Sequence, residues 1–372
     1  MGKKILLTGA GGFIGAHCLK YWLENTDWEI ICLDSFCHKG YCARIEEVKK
    51  SVDPEVFGKR VRIYQHDLTV PIDPPLENLL LDRRIDDRGV IVERPFNFIF
   101  NLASDSAVER SATDPTHCWK NNCNLIATML EFARKIKLQT FFQISTDEVY
   151  GEAKPYPFSG HEEWDTIMPS NPYAASKAAQ EALCISYWRT YKVPIVLTNC
   201  MNIVGEWQDP EKFLPKIVQI VAQGKQEMPI YADEIGVDVM KSPSNHKEGD
   251  IYWNIGSRVY LDARNKADAL MFLTKHAPAI YGGRCGERPD RYNICGEGEW
   301  TNLVLAQAVA KIMGKELKYK LIPSESARPG YDRRYALEGK KLKDLGWTPP
   351  YTMEQTLRRV VYWTIGNNHW LV

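Results

Sequence analysis

The sequence predicts an α/β protein, a doubly wound parallel sheet with a smaller mixed α/β region toward the C-terminus. Three observations predict it. Short apolar runs alternate with helical patterns through the first two hundred residues, the grammar of parallel strands joined by right-handed crossovers. A glycine-rich turn joins the first apolar run to the first helical pattern. Beyond residue 200 the alternation stops, and helices, short strands and irregular pieces mix. The composition agrees: 372 residues with 44% hydrophobic and 25% charged side chains read as globular rather than disordered. Lys plus Arg and Asp plus Glu both number 47, so the chain carries no net charge. That argues against nucleic acid or an anionic membrane as partner. No apolar stretch is long enough to cross a bilayer, and Ile5-Leu6-Leu7 is too short for a secretory signal. The expected location is the cytoplasm.

The elements follow in order. Lys4–Thr8 is a continuous apolar run, as expected for a strand buried on both faces. Gly9–Gly15 is the turn, and a helix runs from Ala16 to about Glu24. Trp28–Leu33 is the second strand, ending at Asp34. Further strands are expected at Arg62–Gln65, Phe96–Leu102, Thr140–Ser145 and Ile195–Asn199, with helices at Pro115–Lys135 and Tyr173–Tyr191. In the second half, Phe213–Gln223 and Thr301–Met313 read as helices. Val70–Glu93 and Ala232–Ile255 lack sustained periodicity and are expected to be inserted surface loops. The domain expectation is a dinucleotide-binding unit over 1–200, rejoined by part of 251–285, and an interleaved substrate-binding unit over 201–372. Ten cysteines form no CxxC pair and have no matching histidine cluster, which reads as reduced thiols and no metal site.

Four features carry chemistry. Gly9, Gly12 and Gly15, spaced G-x-x-G-x-x-G between strand and helix, allow a tight turn and close approach of a pyrophosphate to the helix N-terminus. The same trio also occurs as a plain tight turn. Asp34, 19 positions past Gly15 at the end of the second strand, adds a carboxylate suited to ribose hydroxyls and hostile to a 2′-phosphate. That favours NAD over NADP. Tyr173 and Lys177 are four apart in Tyr173-Ala174-Ala175-Ser176-Lys177 and share a helix face. A lysine cation there lowers a phenol that is otherwise a poor base at neutral pH. By chance alone the pair is a surface tyrosine and a solvated lysine. Ser145-Thr146-Asp147-Glu148-Val149-Tyr150-Gly151 follows a predicted buried strand, where doubly wound sheets bind ligands. Two adjacent carboxylates in such a crevice repel and have either a task or an exposed, solvated position.

Taken together, Thr8–Gly15, Asp34, Ser145–Gly151 and Tyr173–Lys177 resemble the extended short-chain dehydrogenase/reductases, built on the Rossmann fold, and within them the nucleotide-sugar 4,6-dehydratases. Asn101–Ser111, Pro210–Pro215, Tyr292–Ile294, Arg328–Ala336, Leu345–Pro349 and Trp363 extend the likeness over nearly the whole chain. The S-T-D-E and R-P-G-x-D-R-R-Y blocks are its specific parts. Of these segments, Pro210–Pro215, Tyr292–Ile294 and Arg328–Ala336 match the family's substrate domain. The resemblance implies tightly held NAD and three steps. Tyr173, supported by Lys177 and Thr146, takes the C4 hydroxyl proton as hydride leaves C4. Glu148 then removes the C5 proton while a protonated Asp147 donates to the departing C6 hydroxyl. The hydride returns to C6, leaving a 4-keto-6-deoxy sugar. It further implies that Gly9, Gly12, Phe13, Ile14 and Gly15 with Asp34, Leu102, Ala103, Tyr173 and Lys177 hold the cofactor. Asp67 and Leu68 flank its adenine, and Asn122 sits near its nicotinamide. Ser106, Asn202, Arg258, Arg328 and Tyr331 bind the nucleotide-diphosphate sugar, and the chain pairs as a homodimer through two helices.

The chain departs from the family pattern at Ser104, Ala107, within Asn199–Glu206, at Val259 and at Tyr331. These positions cluster around the expected sugar-nucleotide pocket and leave the residues for hydride chemistry intact. Two other readings stand beside the dehydratase. A nucleotide-sugar 4-epimerase or uronate decarboxylase shares C4 oxidation but needs no acid for a C6 hydroxyl. A non-catalytic NAD-binding scaffold needs no tuned base.

Overall fold

The structure, a computed structural model, describes residues 2–38, 40–154, 159–224, 226–235, 252–277, 286–324 and 330–371. Arg328, Cys285 and residues 236–251 of the second insertion lie outside them. Seven strands build the central sheet: β1 Lys4–Thr8, β2 Glu29–Asp34, β3 Val61–Gln65, β4 Phe98–Asn101, β5 Thr140–Ile144, β6 Ile195–Cys200 and β7 Asp290–Ile294. They lie in the order β7-β6-β5-β4-β1-β2-β3 and every neighbouring pair is parallel. The order reverses between β1 and β4, so a crevice opens at the carboxyl ends of these strands.

Alternation along the strands feeds two layers. Ile5 and Leu7 enter one core with the helices Phe13–Asn25 and Ala263–His276, whereas Leu6 enters the other with Pro115–Lys135 and Pro172–Tyr191. Both of the latter helices start on a capping side chain followed by proline at the first helical position. Asp114 accepts from the His117 amide at 3.0 Å and Asn171 from the Ala174 amide at 2.9 Å. Helix Ala263–His276 is locked to Phe13–Asn25 by Trp22 Nε1, which donates to the Ala267 carbonyl at 2.9 Å, and by Tyr21, whose hydroxyl donates to Asp268 at 2.8 Å.

The structure departs from the sequence expectations in three places. Val70–Glu93 is not a featureless loop. Asp73 caps a helix at Pro74–Leu80, and Arg84–Ile85 pairs with Ile91–Val92 as a hairpin. Leu80 and Leu81 are fully buried and anchor it. The ends of the second insertion are strands, Met228–Ile235 pairing antiparallel with Tyr252–Ile255. Tyr292–Ile294, matched by resemblance to the substrate region, belongs instead to β7, the edge of the parallel sheet beside β6.

The C-terminal region centres on Ser257–Asp262, which pairs with Asn202–Val204, Glu299–Thr301 and Arg334–Tyr335. Helices Phe213–Gln223, Asn302–Ile312 and Met353–Gly366 enclose a separate apolar core around Leu214, Val218, Leu305, Val309, Leu357 and Val361. No helix among the described residues is long and apolar enough to cross a membrane.

β7 is tied to the rest by a buried ion pair. Arg291 Nη2 donates to Glu181 on the Pro172–Tyr191 helix at 2.6 Å, with both side chains essentially inaccessible. Arg291 Nη1 donates to the Tyr150 hydroxyl at 3.1 Å and to the Glu163 carbonyl at 2.9 Å, and Asn199 donates to the other Glu181 oxygen at 2.9 Å. Removing one partner strands a buried charge. Arg291→Met is therefore expected to lower unfolding free energy by about 3–5 kcal/mol, and the Arg291→Met, Glu181→Met double variant to recover much of that loss. Urea denaturation of the three proteins checks this.

Candidate active site

The turn after β1 is shaped by its glycines. Gly9 has φ +69°, and a Cβ there would lie 2.9 Å from the Ala103 amide nitrogen. A Cβ on Gly15 would lie 2.0 Å from the Gly9 carbonyl oxygen. The Gly12 amide closes the turn on the Gly9 carbonyl at 3.0 Å. Helix Phe13–Asn25 then starts with neither a side-chain cap nor an acidic residue in its first turn, so its N-terminal amides and dipole face the turn uncompensated. Phe13 and Ile14 pack partly buried against the core beneath. Asp34 is buried at the end of β2. Its carboxylate accepts from the Gly11 amide at 2.9 Å and the Phe36 amide at 3.0 Å. Burial pushes this carboxyl above its ordinary range, with the amides of Phe36, Gly11 and Ser35 opposing. After β3, Leu68 is buried and Asp67 is exposed. Leu102 and Ala103 follow β4, and the Ala103 amide donates to Thr8 at 3.1 Å. Gly15→Ala is expected to displace the Gly9 carbonyl and leave purified protein depleted of nicotinamide cofactor. Absorbance of cofactor released on denaturation measures it.

At the carboxyl end of β5, Thr146 starts the short 3-10 helix Asp147–Tyr150. Its hydroxyl oxygen accepts from the Glu148 amide at 3.3 Å and its hydroxyl donates to Asp147 Oδ1 at 3.0 Å. Asn199 Nδ2 holds the Thr146 carbonyl at 2.9 Å. The adjacent carboxyls have unlike surroundings. Asp147 is 4% exposed and its Oδ2 is buried without a hydrogen-bond partner, whereas Glu148 is only half-buried. Glu148 Oε2 accepts from Asn171 Nδ2 at 3.1 Å and from the Tyr335 hydroxyl at 3.4 Å. Burial, then the Glu148 charge, pushes Asp147 up to about 7. Asp147 thus keeps its proton over much of the neutral range.

Tyr173 and Lys177 are buried one turn apart on Pro172–Tyr191. Lys177 Nζ donates to the Ile144 carbonyl at 2.6 Å, and burial brings its pKa down to about 8. Tyr173 departs from the expectation of a lowered phenol. Burial, followed by the charges of Glu148, Cys200 and Asp147, raises it well above 10. Lys177 is itself desolvated, and its ammonium is directed at the Ile144 carbonyl.

The other residues singled out by the sequence take varied positions. Asn122 is fully buried. Its side chain bonds the Asp105 amide at 2.8 Å, the Asp105 carbonyl at 3.0 Å and the Ser176 hydroxyl at 2.8 Å, tying the loop after β4 to the Tyr173 helix. Ser106 and Asn202 are exposed. Arg258, matched by resemblance to a diphosphate ligand, is 6% exposed. Its Nη1 donates to the Ser257 and Arg333 carbonyls at 2.7 and 2.5 Å and its Nη2 to the Asp332 carbonyl at 2.6 Å. The guanidinium therefore clamps the chain at 332–333. Tyr331 stacks obliquely near Tyr231 and accepts from Asn302 Nδ2 at 3.4 Å. Sequence reasoning passed over Asn171, Asn199 and Tyr335. Asn171 carried a signal, since a polar residue before Pro172 is a helix cap. Tyr335 closes the R-P-G-x-D-R-R-Y block, and Asn199 carried no signal of its role.

Comparison with known proteins decides the family. A model of the NAD dependent epimerase/dehydratase family matches residues 5–294. The chain belongs to that family. It is 29% identical to a dTDP-glucose 4,6-dehydratase of Shigella flexneri over 99% of this chain and 94% of that protein. It is also 29% identical, over 99% of this chain and 48% of the partner, to a trifunctional UDP-glucose 4,6-dehydratase/UDP-4-keto-6-deoxy-D-glucose 3,5-epimerase/UDP-4-keto-L-rhamnose-reductase of Arabidopsis thaliana. Among solved structures, the dTDP-glucose 4,6-dehydratase DesIV of Streptomyces venezuelae, with NAD bound, superposes with a TM-score of 0.76 at 26% identity, covering 99% and 98% of the two chains. A UDP-glucuronic acid 4-epimerase of Bacillus cereus shares the fold, with a TM-score of 0.75 at 20% identity over 98% and 99%. The cofactor of this family member is NAD. The glycine turn that admits no Cβ, the uncapped helix and the Asp34 carboxylate fit its pyrophosphate and ribose.

Burying Asp147 also has a cost that depends on pH. The folded state holds this proton more tightly than the unfolded chain, whose aspartates titrate near 4. Stability from this group is therefore present below about pH 4 and is lost as pH rises toward about 7. Relative to Asp147→Asn, the wild type is expected to lose on the order of 2 kcal/mol between about pH 5 and pH 8. Urea midpoints across that range check it.

Proposed function

We propose that this family member dehydrates a nucleotide-diphosphate hexose to the 4-keto-6-deoxy sugar. The observation that carries the reading is the unlike carboxyl pair, a buried Asp147 that keeps its proton near neutrality beside a half-buried Glu148 held by two donors. Elimination of water needs one acid and one base on the same sugar, and such a pair supplies both. The 29% identity to dTDP-glucose 4,6-dehydratase and the likeness to DesIV support the same reaction.

Bound NAD supplies the hydride acceptor at C4 and the donor at C6. The residues of the chain move the protons. Tyr173, its phenol close to the Thr146–Glu148 turn, takes the C4 hydroxyl proton. In the protein alone burial, and after it the Glu148 charge, holds that phenol protonated, so oxidation requires the positive charge of the cofactor and of Lys177 to offset them. The resulting ketone acidifies C5. Glu148 accepts the C5 proton, and Asp147 gives its own to the C6 hydroxyl, which leaves as water. Lys177 and the Asn199 contact to the Thr146 carbonyl hold the two proton-transfer elements in place.

A 4-epimerase or a uronate decarboxylase needs the same Tyr173 and Lys177 but has no use for a protonated Asp147. The likeness to the epimerase at 20% identity speaks to fold alone. The test is to incubate purified protein with dTDP-, UDP-, CDP- and GDP-hexoses and weigh the products. Loss of one water without net accumulation of reduced cofactor is expected. An isomer of unchanged mass, or loss of carbon dioxide from a uronate, overturns the reading. Asp147→Asn is expected to slow water elimination by about a hundredfold or more, the scale of a lost general acid, while C4 oxidation persists. Unchanged product formation removes Asp147 from its role.

A further inference from the structure

We propose that Asn171 and Tyr335 are positioning residues that hold Glu148 ionised and aimed, so that the two neighbouring carboxyls stay in opposite protonation states through turnover. This rests on reading Glu148 as the base for C5. The juxtaposition comes from three distant parts of the chain: the turn after β5, the start of the Tyr173 helix, and the strand Arg334–Tyr335.

Asn171 does two things with one amide. Its Oδ1 caps the helix by accepting from the Ala174 amide at 2.9 Å, and its Nδ2 donates to Glu148 Oε2 at 3.1 Å. Tyr173 and Lys177 ride on that helix. The amide of Tyr173 is held in turn by the Ser111 hydroxyl at 3.2 Å. A single buried side chain thus sets the spacing between the phenol that works at C4 and the carboxylate that works at C5. Asparagine suits this because it offers an acceptor and a donor at opposite ends of a short, stiff group.

Tyr335 comes from the C-terminal region and is 4% exposed. Its hydroxyl donates to the same Glu148 oxygen at 3.4 Å. Its backbone is fixed by parallel pairing with Arg258, and the Arg258 guanidinium sits 4.2 Å from the centre of its ring. Both Nη groups of that arginine are engaged by the carbonyls of Ser257, Asp332 and Arg333. Next to it, Asp332 accepts from the Ser170 hydroxyl at 2.6 Å, which binds the strand to the residue preceding Asn171. Both donors therefore belong to one braced unit.

The chemistry of the donors matters. The Asn171 amide and the Tyr335 phenol both donate to Glu148 Oε2, and a hydrogen bond to a carboxylate favours its ionised form. Among the described residues, the titratable and charged groups near Glu148 include Asp147 on its own turn, Tyr173 on the helix, and Tyr335 with Arg258 and Asp332 from the C-terminal region. Tyr335 is itself held protonated by burial and by the Glu148 charge, so it remains a donor across the working range.

The test uses full-length protein, dTDP-glucose and UDP-glucose as probes, and two variants. Tyr335→Phe deletes only the hydroxyl. Asn171→Asp keeps the capping oxygen and replaces the donor with a carboxylate. Loss of a donor to the ionised form raises the pKa of Glu148, so the acid limb of kcat/KM is expected to move up by about one pH unit in Tyr335→Phe, a tenfold change in the ionisation constant, and further in Asn171→Asp. The alkaline limb, set by Asp147, stays in place, and the isotope effect from deuterium at C5 grows. A rate that falls evenly at every pH, with the acid limb and isotope effect unmoved, overturns the proposal and leaves both residues structural. Wild-type protein that eliminates no water from either probe, while isomerising one of them, overturns the dehydratase reading and this inference with it.

Discussion

Two carboxyl groups adjacent in the chain stand at the end of a buried strand, and much of the site follows from the cost of having them there. If both ionise, their repulsion is weakly screened because one of them is out of water. The fold resolves this by asymmetry. Thr146 turns Asp147 inward, where burial favours its proton, and leaves Glu148 half-exposed toward the crevice, where donors favour its charge. Burial, and after it the Glu148 charge, raises the Tyr173 phenol. The protein alone is therefore set against deprotonating that phenol, and the positive charge of a bound nicotinamide together with Lys177 would offset this. Cofactor and carboxylates are in this sense parts of one electrostatic arrangement.

The C-terminal region contributes to that arrangement chiefly as scaffold. The Arg258 guanidinium donates to three backbone carbonyls and covers the Tyr335 ring. Its charge is spent on holding residues 332–335 against the crevice. Val259 follows Arg258 in the chain, and the centre of the Tyr331 ring lies 5.5 Å from the Arg258 guanidinium.

Much of the fold was legible in order along the chain. The apolar run Lys4–Thr8, the glycine turn and the helices at 115–135, 172–191 and 213–223 appear where the pattern puts them, because burial on two faces and helical periodicity are local signals. The helix Pro74–Leu80 was missed although Asp73 and two prolines announce its start, since seven residues are too few for periodicity to show. β7 was missed for a different reason. Asp290–Ile294 contains Asp, Arg and Asn, and is buried only because Arg291 finds Glu181 and Asn293 finds the His161 carbonyl at 2.9 Å. Nothing within five residues encodes such partners.

The site divides along the same line. The sequence by itself determined the nucleotide turn, the carboxylate at the end of the second strand, the phenol and ammonium on one helix face, and the adjacent acids, because each depends on spacings of a few residues within one element. How strongly burial holds the Asp147 proton, which direction the phenol shifts, and what Arg258 touches were decided only by the tertiary structure. Those outcomes depend on desolvation and on partners 23 to 187 residues away in the chain, and a pKa is set by the space around a group, which no stretch of neighbouring letters contains.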